Sequence, residues 1–271
     1  MTSDIRRLEL AQIETLIGWA AGEGWNPGLD DAPAFRAADP NGFLGAFVDG
    51  RMVAGISVVA YDDEFSFLGL YICHKDFRGQ GLGRAVWDAG MAYLGARTIG
   101  LDGVPQQQAN YRRMGFVPQY ETIRMSGLLD LAPARYCEVT PLSAAFAVRD
   151  IDRTCFPADR PAFLKAWIAP PRVALLATRD GEVAGYAVVR PCRMGRKIGP
   201  LFAKDLKIAL DLLGAIHGQV QIDVPMYQKA LLAELEGRGF AGQFETARMY
   251  RGTPRPVSRD RVFGVTSLEL G

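Results

Sequence analysis

The sequence predicts an α/β (α+β) protein of two tandem domains, each a mixed, mostly antiparallel twisted sheet flanked by helices. Apolar, β-prone segments alternate with segments of helical periodicity in the first half. One segment then occurs again, because residues 115–125 (GFVPQYETIRM) and 239–249 (GFAGQFETARM) are identical at seven of eleven positions. With 271 residues, of which 49% are hydrophobic, the chain is long enough for two ordinary cores.

The expected order of elements in the first half is β-α-β-β-β-α-β-α-β, ending near Gly127. Asp49-Gly50 separates two apolar runs and is strongly suited to a tight hairpin turn. Gly115 is typical of the residue that ends a helix. The expected strands are 5–10, 43–48, 52–60, a run from about 65 into a glycine loop, 98–104 and 116–125, and the expected helices are 11–21, 84–95 and 106–114.

The second half is predicted to be another copy of this fold. The turn Asp49-Gly50, with a Val-Ala-Gly triplet shortly after it, returns as Asp180-Gly181 with the same triplet. A strand is expected at 262–270, and the first half has no such strand after Met125. We therefore expect the two sheets to share edges at this junction. The expected domains are 1–127 and 138–271, joined by a linker at 128–137.

The segment Arg78-Gly79-Gln80-Gly81-Leu82-Gly83 lies between an apolar strand and an amphipathic helix. Glycines in such a loop bring backbone N–H groups to the positive end of the helix and let the chain approach a bound anion. The expected guest is a phosphate or pyrophosphate. No Lys followed by Ser or Thr comes after the last glycine, and the glycine interval differs from that of the dinucleotide-binding fold. The loop is therefore of neither of those two kinds.

This loop resembles the acetyl-CoA pyrophosphate loop of the GNAT superfamily of acetyltransferases, Arg/Gln-x-x-Gly-x-Gly/Ala. Residues 110–116 (NYRRMGF) resemble the Tyr-x-x-x-Gly-Phe closing helix of that superfamily, and the element order is similar. The whole chain looks like bacterial tandem-GNAT proteins with a catalytic N-terminal and a degenerate C-terminal domain. The resemblance implies acetyl-CoA as co-substrate and direct transfer of an acetyl or short acyl group to a small amine or amino-acid-like acceptor in a ternary complex.

The resemblance also implies roles for individual residues. Tyr111 matches the family tyrosine near the CoA sulfur and is the expected general acid. A base is needed because an alkylammonium of pKa about 10.4 is almost fully protonated at pH 7. Glu64 is the preferred candidate, although its acidic turn, Asp62-Asp63-Glu64, is equally typical of a solvated surface. The expected acetyl-CoA-binding residues are Tyr71, Ile72, Cys73, Arg78, Gly79, Gln80, Gly81, Leu82, Gly83, Arg84 and Asn110.

The second half lacks the glycine loop, because residues 196–207 (RKIGPLFAKDLK) stand before its corresponding helix, expected at 208–216. A single acetyl-CoA site, in the first half, is therefore expected. The second domain is expected to form one wall of the acceptor pocket, near Gly199-Pro200, Asp223 and Tyr227. Two alternatives stay open: a CoA-binding sensor or pseudoenzyme, and an acetyltransferase that acts on a protein N-terminus or lysine.

The composition excludes several other classes of protein. A net charge of +1 gives no electrostatic reason to expect nucleic acid or an anionic membrane as a partner. No apolar run approaches the roughly 20 residues needed to span a bilayer, and the first residues lack a signal-peptide core, so a cytoplasmic protein is expected. The four cysteines form no Cys-x-x-Cys pair and only two histidines are present, so no metal site is expected. A small-molecule amine is the expected partner, and the sequence is compatible with a homo-oligomer.

Overall fold

The computed structural model describes residues 4–132 and 135–271, so residues 1–3 of the predicted first domain and residues 133 and 134 of the predicted linker lie outside the described residues. The first-half strands are β1 Asp4–Arg7, β2 Phe43–Val48, β3 Arg51–Ala60, β4 Phe65–Cys73, β5 Thr98–Gly103 and β6 Val117–Leu129, and its helices are α1 Leu10–Gly22, α2 Asp31–Ala38, α3 Leu82–Leu94 and α4 Pro105–Arg113. The second-half strands are β7 Glu138–Pro141, β8 Val173–Arg179, β9 Glu182–Pro191, β10 Arg196–Ala203, β11 Gly218–Pro225, β12 Ala241–Arg251 and β13 Val262–Gly264, and its helices are α5 Arg149–Cys155, α6 Pro161–Trp167, α7 Leu206–Gly214 and α8 Lys229–Glu236.

The elements expected in the first half are present within a few residues of their predicted bounds, whereas α2 was not predicted. Its eight residues are too few for a clear periodicity, and it packs on α6 of the second half, where Phe35 stacks on Trp167 with ring centroids 6.0 Å apart. The two predicted hairpin turns share one geometry. Asp49 and Gly50 have φ of 49° and 76°, and Asp180 and Gly181 have 53° and 78°, which is the pattern of a type I′ turn.

Within the described residues, thirteen strands form one continuous sheet in the order β1-β2-β3-β4-β5-β12-β6-β11-β10-β9-β8-β7, with β13 paired to β10. The last long strand of each half is exchanged, since β12 pairs with β5 and β6 pairs with β11. The two sheets therefore share edges as expected. The expectation that a strand at 262–270 lies at the junction is wrong, because only three of those residues are a strand and they pair with β10 of the same half.

The repeated segment forms the centre of this exchange. Arg124 on β6 makes a bidentate pair with Asp223 on β11, at 2.7 and 3.0 Å. The repeated Arg248 on β12 makes the same pair with Asp102 on β5, at 2.8 Å for both bonds. Both pairs are buried and both join one half to the other. The sequence repeat thus marks two strands that occupy symmetry-related environments.

Helix α3 packs against one face of the first-half strands and thereby fixes the end of the glycine loop. Its buried residues include Val86, Trp87 and Leu94. Gly90 faces Val58 on β3, where a Cβ atom would lie only 2.8 Å from the valine Cγ1, so the helix can approach the sheet only with glycine here. In the described part of the chain, no helix has both the length and the apolar character needed to cross a membrane.

Candidate active site

The site lies where β4 and β5 separate. The two strands are parallel neighbours over Phe65–Leu68 and Thr98–Leu101, and the described ladder ends there. Beyond that point a groove of about 670 Å³ opens between them. The groove is lined by Tyr71, Cys73 and Arg78 on one side and by Tyr111 of α4 on the other. The structure therefore brings together residues that the sequence placed in a single site.

The backbone of β4 offers a free donor to this groove. The N–H of His74 donates to the carbonyl of Val53 on β3 at 2.8 Å. Because successive residues of a strand direct their N–H groups to opposite sides, the N–H of Cys73 points away from β3 and towards the groove. Tyr71 lies where the β3–β4 pairing shifts register, next to Leu70 at φ 47°, so this alternation does not extend to its N–H. An extended ligand lying along β4 can accept a hydrogen bond from Cys73.

The glycine loop forms an open cradle at the start of α3. Gly79 and Gly81 have φ of 77° and 80°, and Gly81 is the residue directly before the helix. A Cβ atom on either glycine would meet no other atom within 4 Å, so the space in front of the loop is open. The first N–H groups of a helix have no acceptor within it, and its dipole is positive at this end. This arrangement fits a pyrophosphate.

Two of the predicted arginines flank the cradle. The Nε of Arg78 donates to the carbonyl of Cys73 at 3.0 Å, and its guanidinium pairs with Glu23 at 2.6 Å. Arg84 pairs with Asp88 at 2.8 Å on the exposed face of α3. Both arginines are exposed, so each can leave its carboxylate partner and bind a phosphate at little cost in desolvation.

The remaining predicted contact residues offer backbone rather than side chain. The side chains of Ile72 and Leu82 are buried in the core. Gly83 lies in the first turn of α3, where a Cβ atom would be 3.1 Å from the hydroxyl of Tyr71. The Gln80 amide donates back to the carbonyl of Asp76 at 3.3 Å.

Asn110 is engaged within its own helix. Its Nδ2 donates to Gln107 at 2.7 Å, and its Oδ1 accepts from Arg113. Tyr111, one residue later, faces the groove instead. Of these two neighbours, the structure places only the tyrosine beside the open part of the site.

An aromatic cluster holds Tyr111 in place. Its ring stacks on Trp87 with centroids 6.0 Å apart and meets Phe116 edge-on at the same distance. Burial, with a smaller contribution from Tyr71, raises the pKa of the Tyr111 phenol to about 12. The hydroxyl therefore stays protonated across the neutral range and remains a hydrogen-bond donor to the groove.

Cys73 is not arranged as a nucleophile. Burial raises the pKa of its thiol, an effect that the Arg78 charge only partly offsets. A nucleophilic cysteine requires the opposite shift. Within the ranges that the structure describes, no group of three or more His, Cys, Asp and Glu residues is arranged to hold a metal ion.

Glu64 does not meet the other predicted site residues. It precedes β4 at Phe65, whereas Tyr71 and Cys73 are near the other end of this nine-residue strand. A strand rises about 3.3 Å per residue, so Glu64 lies roughly 20 Å along the strand from Tyr71 and roughly 30 Å from Cys73. Its carboxylate is exposed and pairs with Arg255 at 2.6 Å. The structure places Glu64 in a surface ion pair, away from Tyr111.

The second half does supply a wall of the groove, through residues that the sequence did not single out. Phe244 and Thr246 of the exchanged strand β12 line its inner end, as do Leu268 and Glu269. Asp223 is instead tied to Arg124, Tyr227 packs on Tyr120, and the Gly199 carbonyl accepts from the Trp167 indole. The sequence repeat could have indicated that β12 contributes to the groove, whereas no local motif marks Glu269.

Family models match both halves of the chain. A model described as the acetyltransferase (GNAT) family matches residues 10–116, and one described as an acetyltransferase (GNAT) domain matches residues 148–264. The chain belongs to the GNAT family of acetyltransferases. It is a tandem GNAT protein, since each half carries its own domain of this family.

Relatives and solved structures agree with this assignment. The chain is 34% identical to the holothin acyltransferase of Pseudoalteromonas sp. (strain SANK 73390) over 265 residues, covering 93% of this chain and 89% of that protein. The fold is similar to a Pyrococcus horikoshii structure described provisionally as an acetyltransferase, with TM-score 0.82, 22% identity and coverage of 99% and 96% of the two chains. It is also similar to a tandem GNAT protein from the clavulanic acid biosynthesis pathway, with TM-score 0.62, 16% identity and coverage of 94% and 100%.

Proposed function

We propose that the protein transfers an acetyl or other short acyl group from CoA to a small amine, by direct attack of the amine on the thioester. The observation that carries this proposal is the groove lined by Arg78 at the start of the glycine loop, by Cys73 of β4 and by Tyr111. An acyl-CoA needs those three features in that order, since its pyrophosphate, pantetheine arm and thioester follow one another along the molecule. The family and the acyltransferase relative support the same reaction class.

The geometry supports the following contacts to acyl-CoA in this proposal. The N–H groups at Gly81 and the first turn of α3 would bind the pyrophosphate, and Arg78 and Arg84 would add charge-assisted hydrogen bonds. The N–H of Cys73 would bind the pantetheine arm, with Tyr71 beside it in the wall of the groove. This leaves the acyl carbon beside the inner end of the groove, next to Tyr111.

In this proposal Tyr111 stabilises the leaving sulfur mainly by a hydrogen bond. Moving a full proton from a phenol of pKa about 12 to a thiolate of pKa about 8.5 would be uphill by about 5 kcal/mol. Once the C–N bond has formed, however, the positively charged nitrogen must lose a proton, and this proton can end on the sulfur as the C–S bond breaks. The phenol then lowers the barrier without becoming a phenolate.

The experiment that tests this function uses the purified full chain with acetyl-, propionyl- and butyryl-CoA and a panel of amines. The panel includes holothin, because of the name of the relative, amino acids, and a lysine-containing peptide with a free N-terminus. We expect amine-dependent release of free CoA thiol together with an acylated product by mass spectrometry. Binding of acyl-CoA without transfer to any amine would instead support the sensor alternative, and transfer to the peptide alone would support a protein substrate.

A further inference from the structure

The segment formed by residues 265–271, called the closing segment here, runs from the second half onto the first. It leaves β13 beside β10 and ends against β4. A Cβ atom on Gly199 of β10 would lie 2.4 Å from the carbonyl of Thr266, and one on Gly69 of β4 would lie 2.1 Å from the carbonyl of Glu269. Glycine at both positions is therefore what allows the segment to pass this close.

Glu269 of this segment lines a small chamber beside the groove. The residue is only 3% exposed and lines a chamber of about 40 Å³ together with Tyr71 and Tyr111. The same two tyrosines line the larger groove, so the chamber is its inner end. Among the residues that the structure describes, Oε2 of Glu269 has no hydrogen-bond partner. A buried carboxylate oxygen without a partner is costly unless a ligand supplies one.

Nearby cations surround this carboxylate but are committed elsewhere. Glu269 lies close enough to Arg124, Arg190 and Lys197 for its negative charge to favour their protonated forms. It also disfavours ionisation of Asp102, whose carboxylate is paired with Arg248. None of these cations makes a hydrogen bond to Oε2 of Glu269, so among the described residues this oxygen is left without a donor. The groups that engage these cations are Asp223 for Arg124, Asp31 for Arg190 and the Trp25 carbonyl for Lys197.

The closing segment does not need this carboxylate as an anchor. The carbonyl of Leu270 accepts from the Tyr61 hydroxyl at 2.9 Å, and the N–H of Leu270 donates to Ser267 Oγ at 3.1 Å. The hydroxyl of Thr266 accepts from the buried Arg160 at 2.8 Å. Backbone and neighbouring side chains thus hold the segment, and the Glu269 side chain is left for another partner.

We infer that Glu269, supplied to the first-half site by the second half, binds the ammonium group of the acceptor and takes its proton. This inference rests on the proposed function. The ammonium N–H bond breaks, its proton passes by way of the Glu269 carboxylate to solvent without resting there, since an ammonium is a weaker acid than a carboxylic acid, and the freed electron pair of nitrogen forms the C–N bond to the acyl carbon. The nitrogen then loses a second proton, which ends on the CoA sulfur as the C–S bond breaks. The acceptor is a primary amine with a small apolar body, matching Leu68, Leu101 and Phe244 around the chamber.

Turnover tests this assignment with an isosteric variant. For Glu269→Gln we expect kcat to fall about 100-fold, the lower end of what a positioned acid or base contributes, with acyl-CoA affinity within about twofold of the wild type. Glu245→Gln is the matched control, because Glu245 lies on β12 one residue from Thr246 and is exposed. Glu269→Asp keeps the charge but withdraws it by one methylene and should be intermediate. Turnover by Glu269→Gln equal to that of Glu245→Gln would overturn the inference.

Acceptor binding provides a readout that does not depend on turnover. Calorimetry on the CoA-loaded protein compares a primary amine with the alcohol of the same shape. The wild type should bind the amine at least about tenfold more tightly, since a charge-assisted hydrogen bond contributes about this much, and Glu269→Gln should lose that preference while the Glu245 control keeps it. An unchanged preference in Glu269→Gln would overturn the inference. A wild type that binds amines through Glu269 but transfers no acyl group would contradict the proposed function and support the amine site.

Discussion

The two halves use the same pair of separating strands in opposite ways. In the first half β4 and β5 diverge and leave an open groove. In the second half β10 and β11 are parallel over Arg196–Ile198 and Val220–Ile222, but β13 then pairs with β10, and the N–H of Val265 donates to the carbonyl of Asp223. The second opening is filled by the protein's own chain, at the place where the first would accept a ligand.

The two halves also differ at the start of the helix after the opening, α3 or α7, and in the later helix, α4 or α8. In both places the second half fills a position that is open or polar in the first half. Where α3 begins with an open glycine loop, α7 begins at Asp205, whose carboxylate accepts from the N–H of Ile208 at 3.0 Å. A side-chain anion thus occupies the position that a pyrophosphate would need. Counting back four residues from the repeated Gly-Phe, the second half has the buried Leu235 in place of Tyr111. A GNAT fold can therefore keep its architecture when its strand opening and the start of its helix are filled by the chain itself.

The largest expected effect comes from closing the first-half cradle. Gly81→Val forces a β-branched residue to φ 80° and places methyl groups in front of the loop, so we expect acyl-CoA to bind about 100-fold more weakly. This corresponds to the loss of two N–H bonds to a charged group at about 1.5 kcal/mol each. Calorimetry with acetyl-CoA measures it. Gly181→Val is the control, because it imposes a similar strain at φ 78° in the second-half hairpin; equal weakening by both variants would mean that strain alone acts.

A smaller effect is expected at Tyr111, whose counterpart in the second half is Leu235. Tyr111→Phe should lower kcat about 10- to 100-fold, the value of a hydrogen bond to a charged group, with acetyl-CoA affinity nearly unchanged. Because the pKa of Tyr111 is raised to about 12, the wild type should lose no activity through ionisation of this phenol as the pH rises from 8 to 10. Tyr227→Phe, beside the filled opening, is the control. Full turnover by Tyr111→Phe would remove the phenol from the reaction.

The smallest effect is expected at the N-terminus of α7 in the second half. Asp205→Ala removes the cap of α7 and should lower the free energy of unfolding by about 1 kcal/mol, whereas Asp205→Asn should retain most of it. Burial opposes ionisation of Asp205, but the Ile208 N–H and Arg179 hold the pKa of its carboxyl below the usual value. The stabilisation is thus present above the unfolded pKa near 4 and fades as the pH falls below it.

The same variant sharpens the comparison between the halves. Because β13 still fills the second opening, Asp205→Ala should bind one CoA per chain, as the wild type should. Titration calorimetry gives both stoichiometries, and thermal unfolding at pH 7 and pH 3 gives the stability difference. Two CoA molecules bound by Asp205→Ala would show that the helix cap alone had closed the second site.

Local chemistry in the sequence was sufficient for much of the first half. The Asp-Gly turns, the apolar runs of β2 to β4 and the glycines before α3 each dictate a conformation within a few residues, because backbone sterics and periodicity act locally. The repeat 115–125 likewise showed that a second copy existed. These features predicted the fold and the glycine loop, and the family match agrees with the predicted fold. Tyr111 was predicted from the resemblance of residues 110–116 to the GNAT closing helix.

Only the tertiary structure decided how the halves share a site. Helix α2 forms where Phe35 meets Trp167, strands β6 and β12 change places around the Arg124 and Arg248 ion pairs, and Glu269 reaches a chamber some two hundred residues away from it in sequence. Contacts at such separations leave no periodic signal near the residues that make them, so an acidic turn such as that of Glu64 and a buried carboxylate such as Glu269 look alike in the sequence. What distinguishes them is burial and the absence of a partner, and both depend on the folded chain.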